Sequence, residues 1–144
     1  MIRSGHFGQN VGHGLITAIT NAYCDVFADQ QMVNWANSVA KNTFDRFIRL
    51  VNQNCTQQRR IGFHARKLCL IERYLGTLIR QVSGITAKEW IDRATITAAK
   101  VMLRHSDVPI TTLAEKLNFA NPSFFCKYFK RLTGITPQAY RNIQ

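Results

Sequence analysis

The second half of this chain is written twice, and no other feature limits its fold as tightly. Ala65–Trp90 (ARKLCLIERYLGTLIRQVSGITAKEW) lies over Ala114–Tyr140 (AEKLNFANPSFFCKYFKRLTGITPQAY), with Ala65 on Ala114 and Leu68 on Leu117 at an offset of 49 residues. One inserted residue changes the offset to 50, which then pairs Leu75 with Phe125, Leu78 with Tyr128, Ile79 with Phe129 and Val82 with Leu132. Gly84-Ile85-Thr86 matches Gly134-Ile135-Thr136, and Trp90 matches Tyr140. Agreement in pattern and identity over this length marks two copies of one supersecondary unit.

Apolar residues in both copies recur every three or four positions, the period of an amphipathic helix. In the first copy, Ala65–Leu68 lies in a leading helix, Cys69–Glu72 turns, and Arg73–Val82 forms a trailing helix. In the second, Thr112–Leu117 leads, with Thr112 and Glu115 at capping-box spacing, and Asn118–Asn121 turns. Asn121 is placed to cap the trailing helix, with Pro122 at its first position. Gly84 and Gly134 are placed to end the trailing helices in left-handed geometry. Two helices joined by a tight turn make a helix-turn-helix.

Between the copies, Ala87–His105 reads as one helix, opened by a capping box of Thr86 and Glu89. Its apolar stripe is Trp90, Ile91, Ala94, Ala98, Val101 and Met102. Nineteen residues at ~1.5 Å each give a rod of roughly 28 Å, close to the ~34 Å turn of a DNA duplex. Such a rod is suited to holding two reading helices in successive major grooves. The expected fold is all-α: two helix-turn-helix units (homeodomain-like) joined by a long central helix and preceded by one or two further helices.

Upstream, the glycine-rich residues 1–14 read as a disordered N-terminus. Residues 15–54 read as a helical linker or dimerisation segment. One helix carries Leu15, Ile16, Ile19, Tyr23, Val26 and Phe27 to about Gln31, and another, near Lys41–Val51, carries Phe44, Phe47, Ile48 and Val51. These stripes need burial, either within the chain or against a second copy. The spacing of Ile16, Ile19, Tyr23 and Val26 is close to a coiled-coil seam, which favours a homodimer through residues 15–51. The polar, aperiodic Asn54–Arg60 reads as a linker, and residues 61–144 as the tandem domain.

Charge points the same way. The formal net charge is +11, and residues 61–144 hold thirteen basic and five acidic side chains against six and three in residues 1–60. A basic excess gathered in one segment is the footprint of a polyanion binder. Nothing approaches the ~20 apolar residues of a membrane span, and the first residues lack a signal-peptide core, so a cytoplasmic location without membrane contact is expected. Cys24, Cys55, Cys69 and Cys126 are scattered without a CxxC and read as reduced small hydrophobes. Cys55, His64 and Cys69 do not have zinc-site spacing, so no metal and no cofactor is expected. Of the eight acidic residues, Glu72, Glu89, Asp92, Asp107 and Glu115 fall where caps and exposed helix faces are expected, and Cys69 with His64 lacks a third orienting group. An enzyme is not expected.

The trailing helices divide into two faces. Leu75, Leu78, Ile79 and Val82 in the first, and Phe125, Tyr128, Phe129 and Leu132 in the second, face inward. The opposite faces offer Arg73, Gly76, Thr77 and Arg80, and Ser123, Cys126, Lys127 and Lys130 with Arg131 beside them. On a reading helix, side chains near the N-terminal end reach base edges and basic groups further along meet phosphates. The plainer reading is a solvated basic face.

Leu113–Arg141 (LAEKLNFANPSFFCKYFKRLTGITPQAYR), with its degenerate partner Lys67–Ile91 (KLCLIERYLGTLIRQVSGITAKEWI), carries a family resemblance. Ala65–Arg141 resembles the DNA-binding domain of the AraC/XylS family of bacterial transcription regulators. The resemblance implies seven helices, binding to double-stranded promoter DNA, and contact with RNA polymerase. It puts Arg73, Gly76, Thr77, Ser123, Cys126 and Lys127 at base-facing positions, and leaves Arg80, Lys130 and Arg131 for phosphate. Thr77 stands where members commonly have Arg, Gly76 where they have a polar residue, and Asn118 where they have Gly. The sensor barrel of many members has no counterpart here. An alternative function is therefore a sensor-less interaction module that dimerises with full-length relatives.

Overall fold

The computed structural model describes the backbone of residues 2–143 and the side chains of residues 28–143. Seven helices account for it: α1 (Ile2–Asn54), α2 (Ile61–Lys67), α3 (Glu72–Ser83), α4 (Ala87–His105), α5 (Ile110–Lys116), α6 (Pro122–Thr133) and α7 (Pro137–Asn142). No strand occurs among the described residues. The chain divides into two compact units, residues 1–40 and 41–144.

α1 is one helix of 53 residues, where the periodicity gives separate helices over 15–31 and 41–51 and an unstructured start. The three prolines stand at 109, 122 and 137, so nothing in residues 32–40 stops a helix once it has formed. The expected stripe from Leu15 to Phe27, and Cys24, lie outside the described side chains. Within the first unit, residues 28–39 are all exposed.

The second unit holds the repeat, and its two copies agree down to the backbone. Cys69 and Asn118, 49 residues apart, both take left-handed conformations, φ 58° and 56°. At each turn an amide reaches back to the leading helix, Leu70 N–H to Ala65 O at 2.9 Å and Phe119 N–H to Ala114 O at 3.0 Å. Gly84 and Gly134 end α3 and α6 at φ 80° and 85°, where a Cβ would be strained. Thr86 and Thr136 then cap α4 and α7, accepting from Glu89 N–H at 3.2 Å and Ala139 N–H at 3.1 Å. Asn121 caps α6 through Phe124 N–H at 2.9 Å. Thr112 caps nothing: α5 begins two residues earlier, at Ile110, after Pro109, whose fixed φ suits a helix entry.

α4 is the element both copies pack on, α2 and α3 along one part and α6 and α7 along the other. The second core joins Ile96, Ala99 and Leu103 of α4 to Leu113, Ala114, Leu117, Phe125 and Phe129. Toward the first copy, Ile91 and Ala87 are buried along with Leu75, Leu78 and Ile79 of α3 and Ala65 and Leu68 of α2. The C-terminal part of α1 adds Phe47 and Val51 to the buried set, and Phe47 meets the His64 ring edge-on at 5.7 Å.

The buried line of α4 is Ala87, Ile91, Asp92, Thr95, Ile96, Ala99 and Leu103, whereas Val101 of the expected stripe is exposed. A helix covered from two sides buries more than one stripe, and hydropathy passes over its polar members. Val82 and Leu132, expected inside, are each 40% exposed, because α3 and α6 stop within two residues of them. Cys69 is exposed at its turn, although Cys55 is buried.

His64 is fully buried where the second copy has Leu113. Its Nδ1 lies 3.0 Å from Arg60 O, which makes Nδ1 the protonated nitrogen, and Nε2 has no partner. Burial pushes its pKa below the ordinary histidine value. The unfolded chain therefore takes up more protons below about pH 6.5, so this contribution to stability is present above that pH and is lost as pH falls through it. Urea midpoints measured from pH 7.5 to 5.5 should fall, and His64→Leu, copying Leu113, should flatten the fall. Gly76 offers a second check. A Cβ there would sit 3.7 Å from Ile61 Cδ1, an ordinary contact. Gly76→Ala should raise stability by about 1 kcal/mol in the same urea titration.

Candidate nucleic-acid interface

α3 and α6 each turn one side toward α4 and the other outward. Arg73, Thr77 and Arg80 of α3 are exposed, and so are Ser123, Lys127, Lys130 and Arg131 of α6. Gly76 and Cys126, the remaining members of the expected set, are half-buried, Gly76 lying over Ile61 of α2. The two sets stand in one register. Residues 73, 76, 77 and 80 correspond to 123, 126, 127 and 130 at the constant offset of 50. Each spans two turns along a single helix face, the length over which a helix lies in a groove.

The faces differ in chemistry. Thr77 Oγ1 donates to Arg73 O at 2.9 Å, so its hydroxyl is engaged with its own helix. The first face then presents two guanidinium groups, Arg73 and Arg80, around a small centre. The second presents a hydroxyl, a thiol and two ammonium groups, a mixture of donors and acceptors suited to base edges. No acidic side chain lies on the outer face of α6, which contains none, and Glu72 is the only one in α3.

Two aromatic residues were not among the expected site residues. Tyr74 and Phe124, again 50 apart, are 51% and 58% exposed beside Arg73 and Ser123. Their offset is the signal that would find them: both copies keep an aromatic ring at a position that hydropathy alone assigns to neither face. Flat apolar rings at the start of a reading helix match thymine methyl groups and deoxyribose.

Polar contacts hold the second face against the rod. Tyr128, which replaces Leu78 of the first copy, donates its hydroxyl to Asp92 Oδ1 at 2.7 Å. Lys88 Nζ reaches the same carboxylate at 3.4 Å. Burial, and then the bond to Asp92, push the Tyr128 phenol well above its ordinary pKa. Arg59 is a further residue that the sequence reading leaves in a linker. Its guanidinium stacks over Phe119, 3.8 Å from the ring centre, and shares a cleft with Phe124, Lys127 and Arg131. Among the described residues no three His, Cys, Asp or Glu side chains gather as metal ligands would, and no helix is long and apolar enough to cross a membrane.

A family model described as a Helix-turn-helix domain matches residues 64–143. The regulatory protein PocR of Salmonella typhimurium is 32% identical over 94 residues, which cover 65% of this chain and 31% of PocR. The chain thus spans about a third of the length of that curated relative. A transcriptional regulator from Chromobacterium violaceum, described as containing an AraC-type DNA-binding domain, superposes with a TM-score of 0.63 at 16% identity, over 73% of this chain and 94% of that one. The DNA-binding domain of AdpA, solved in complex with a target DNA, superposes with a TM-score of 0.62 at 20% identity, over 69% and 90%. Since the family match extends over more than half of its length, the chain belongs to the AraC/XylS family of helix-turn-helix transcription regulators.

Proposed function

We propose that this chain is a sequence-specific double-stranded DNA-binding regulator that places α3 and α6 in successive major grooves. The observation that carries the reading is the shared register of the two outward faces, exposed and cationic on helices that both pack on one 19-residue rod. In this reading Arg73, Gly76, Thr77, Ser123, Cys126 and Lys127 face bases, while Arg80, Lys130 and Arg131 meet phosphate. The first face, with Gly76 at its centre and the Thr77 hydroxyl engaged, contributes mostly charge. The second supplies most of the base selection. The regulatory output is the one the family likeness implies, contact with RNA polymerase at a promoter.

Selection from a random duplex pool should return a two-part motif with its halves about one turn apart, and a single short half would leave only α6 as a reader. Binding should weaken steeply between low and moderate salt as phosphate contacts release counterions. Lys127→Ala should cost about 1–3 kcal/mol on the selected duplex and relax preference at one position. Arg80→Ala should weaken every duplex alike and reduce the salt slope by about one. Equal weakening of all duplexes by Lys127→Ala removes its reading role.

A second element of the reading is self-association through residues 15–51. Met32 and Trp35 are each 68% exposed, and with Val39 they follow i, i+3, i+7 spacing on one side of α1. That is the spacing of a two-stranded seam. Sedimentation equilibrium should show a dimer that Trp35→Glu converts to monomer, and a wild-type chain that is monomeric at every concentration contradicts it.

A further inference from the structure

Composition marks residues 54–60 as a linker, yet this short connection grips the far helix-turn-helix. Gln57 Nε2 donates to Lys116 O at 3.1 Å, and Asn118 Nδ2 donates back to Gln57 O at 2.9 Å. Arg59 donates through one arm of its guanidinium to Leu117 O and through the other to Asn118 O at 2.7 Å, with its plane stacked on Phe119. Thr95 Oγ1 of α4 shares its one proton between Ile91 O of its own helix at 2.9 Å and Cys55 O at 3.2 Å. The partners of Gln57 and Arg59 lie 58 to 61 residues away in sequence.

The carbonyls of Lys116 and Leu117 end α5, where a helix leaves its last C=O groups without partners of its own. A planar fork with five donors is the side chain that satisfies two neighbouring carbonyls at once while its face covers an aromatic ring. The other ends of the connection are tied to the first copy. α1 meets it through Phe47 on His64 and Phe44 on Trp90, with ring centres 5.7 Å apart in each case, and α2 begins one residue after Arg60. The connection between α4 and α5 at the matching place, Ser106–Pro109, has no Arg or Gln. Packing on a single rod sets how far apart and how turned two readers stand, but each copy meets it along only part of its length and can still rock about that contact. A second link off the axis removes that freedom.

We infer that Cys55–Arg60 is a strap that fixes the rotation of α6 relative to α3, with Arg59 as its positioning residue. The effect on binding rests on the DNA-reading function proposed above, whereas the effect on geometry does not. Arg59 lines the same cleft as Phe124 and Lys127, so the clamp sits beside the face it orients.

The test has two arms, each run on the full chain with Arg59, Arg59→Ala and Arg59→Lys. In a cysteine-free background, spin labels at Gln81 of α3 and Lys130 of α6, both exposed, report the α3-to-α6 distance by double electron–electron resonance. The distribution should be narrow with Arg59 and broad in both variants, because Lys keeps the charge but not the fork. On DNA, Arg59→Ala should lose about ten-fold or more on a two-part duplex while keeping its affinity for a duplex with the α6 half alone. An unchanged distance distribution, or equal losses on both duplexes, overturns the strap. A broadened distribution with no wild-type preference for the two-part duplex keeps the strap and removes the DNA reading instead. If Arg59→Ala fails to fold by circular dichroism, Gln57→Ala, which removes one bond of the set, takes its place with the same expected outcomes.

Discussion

Everything in the second unit depends on α4 being buried from two directions at once. A helix of seven residues and one of twelve cannot enclose a core between them, so each helix-turn-helix must close its apolar side on something larger. Both close on the same 19-residue helix, Ile91 serving one end and Ile96, Ala99 and Leu103 the other. Once the apolar sides are committed to the rod, the opposite sides have nowhere to go but outward. The cationic faces are thus a consequence of the packing as much as of the charge.

The two copies share a backbone plan and differ in how they satisfy it. Both turns use a left-handed residue that is not glycine, Cys69 and Asn118, and Asn118 converts its side chain into a bond to Gln57. Leu113 and Leu78 give the apolar version of two core positions, and His64 and Tyr128 the polar version. The Tyr128 hydroxyl reaches a nearly buried carboxylate, and a hydrogen bond to a charged group of this kind is worth about 1.5–3 kcal/mol. His64 gives less back, because only one of its ring nitrogens has a partner. The second copy is therefore the more tightly specified, and it also carries the more varied outer face.

What the sequence disclosed, it disclosed through repetition. An offset of 49 and then 50 locates both turns, both glycine stops, the start of α4 and the register of the outer faces, because each depends on local geometry that two copies must share. What stayed hidden depends on contacts between distant segments. Asp92 and Thr95 are polar and so fall outside any apolar stripe, yet they are buried, with Tyr128 donating to the one and the Ile91 and Cys55 carbonyls accepting from the other. Arg59 lies in a stretch with neither periodicity nor a counterpart in the other copy, and nothing local distinguishes it from a solvated cation. A lapse in apolar spacing over residues 32–40 makes the periodicity read two helices where α1 is one, since no proline or glycine there breaks it.

In the proposed function one rod presents two faces, alike in register but not in chemistry, to one side of a duplex. Methylation interference on a selected site tests it most directly, because it marks each major-groove guanine the protein must approach. Two clusters of interference about ten base pairs apart on the same face of the duplex, both lost at high salt, are expected. A single cluster, or two on opposite faces, would contradict it.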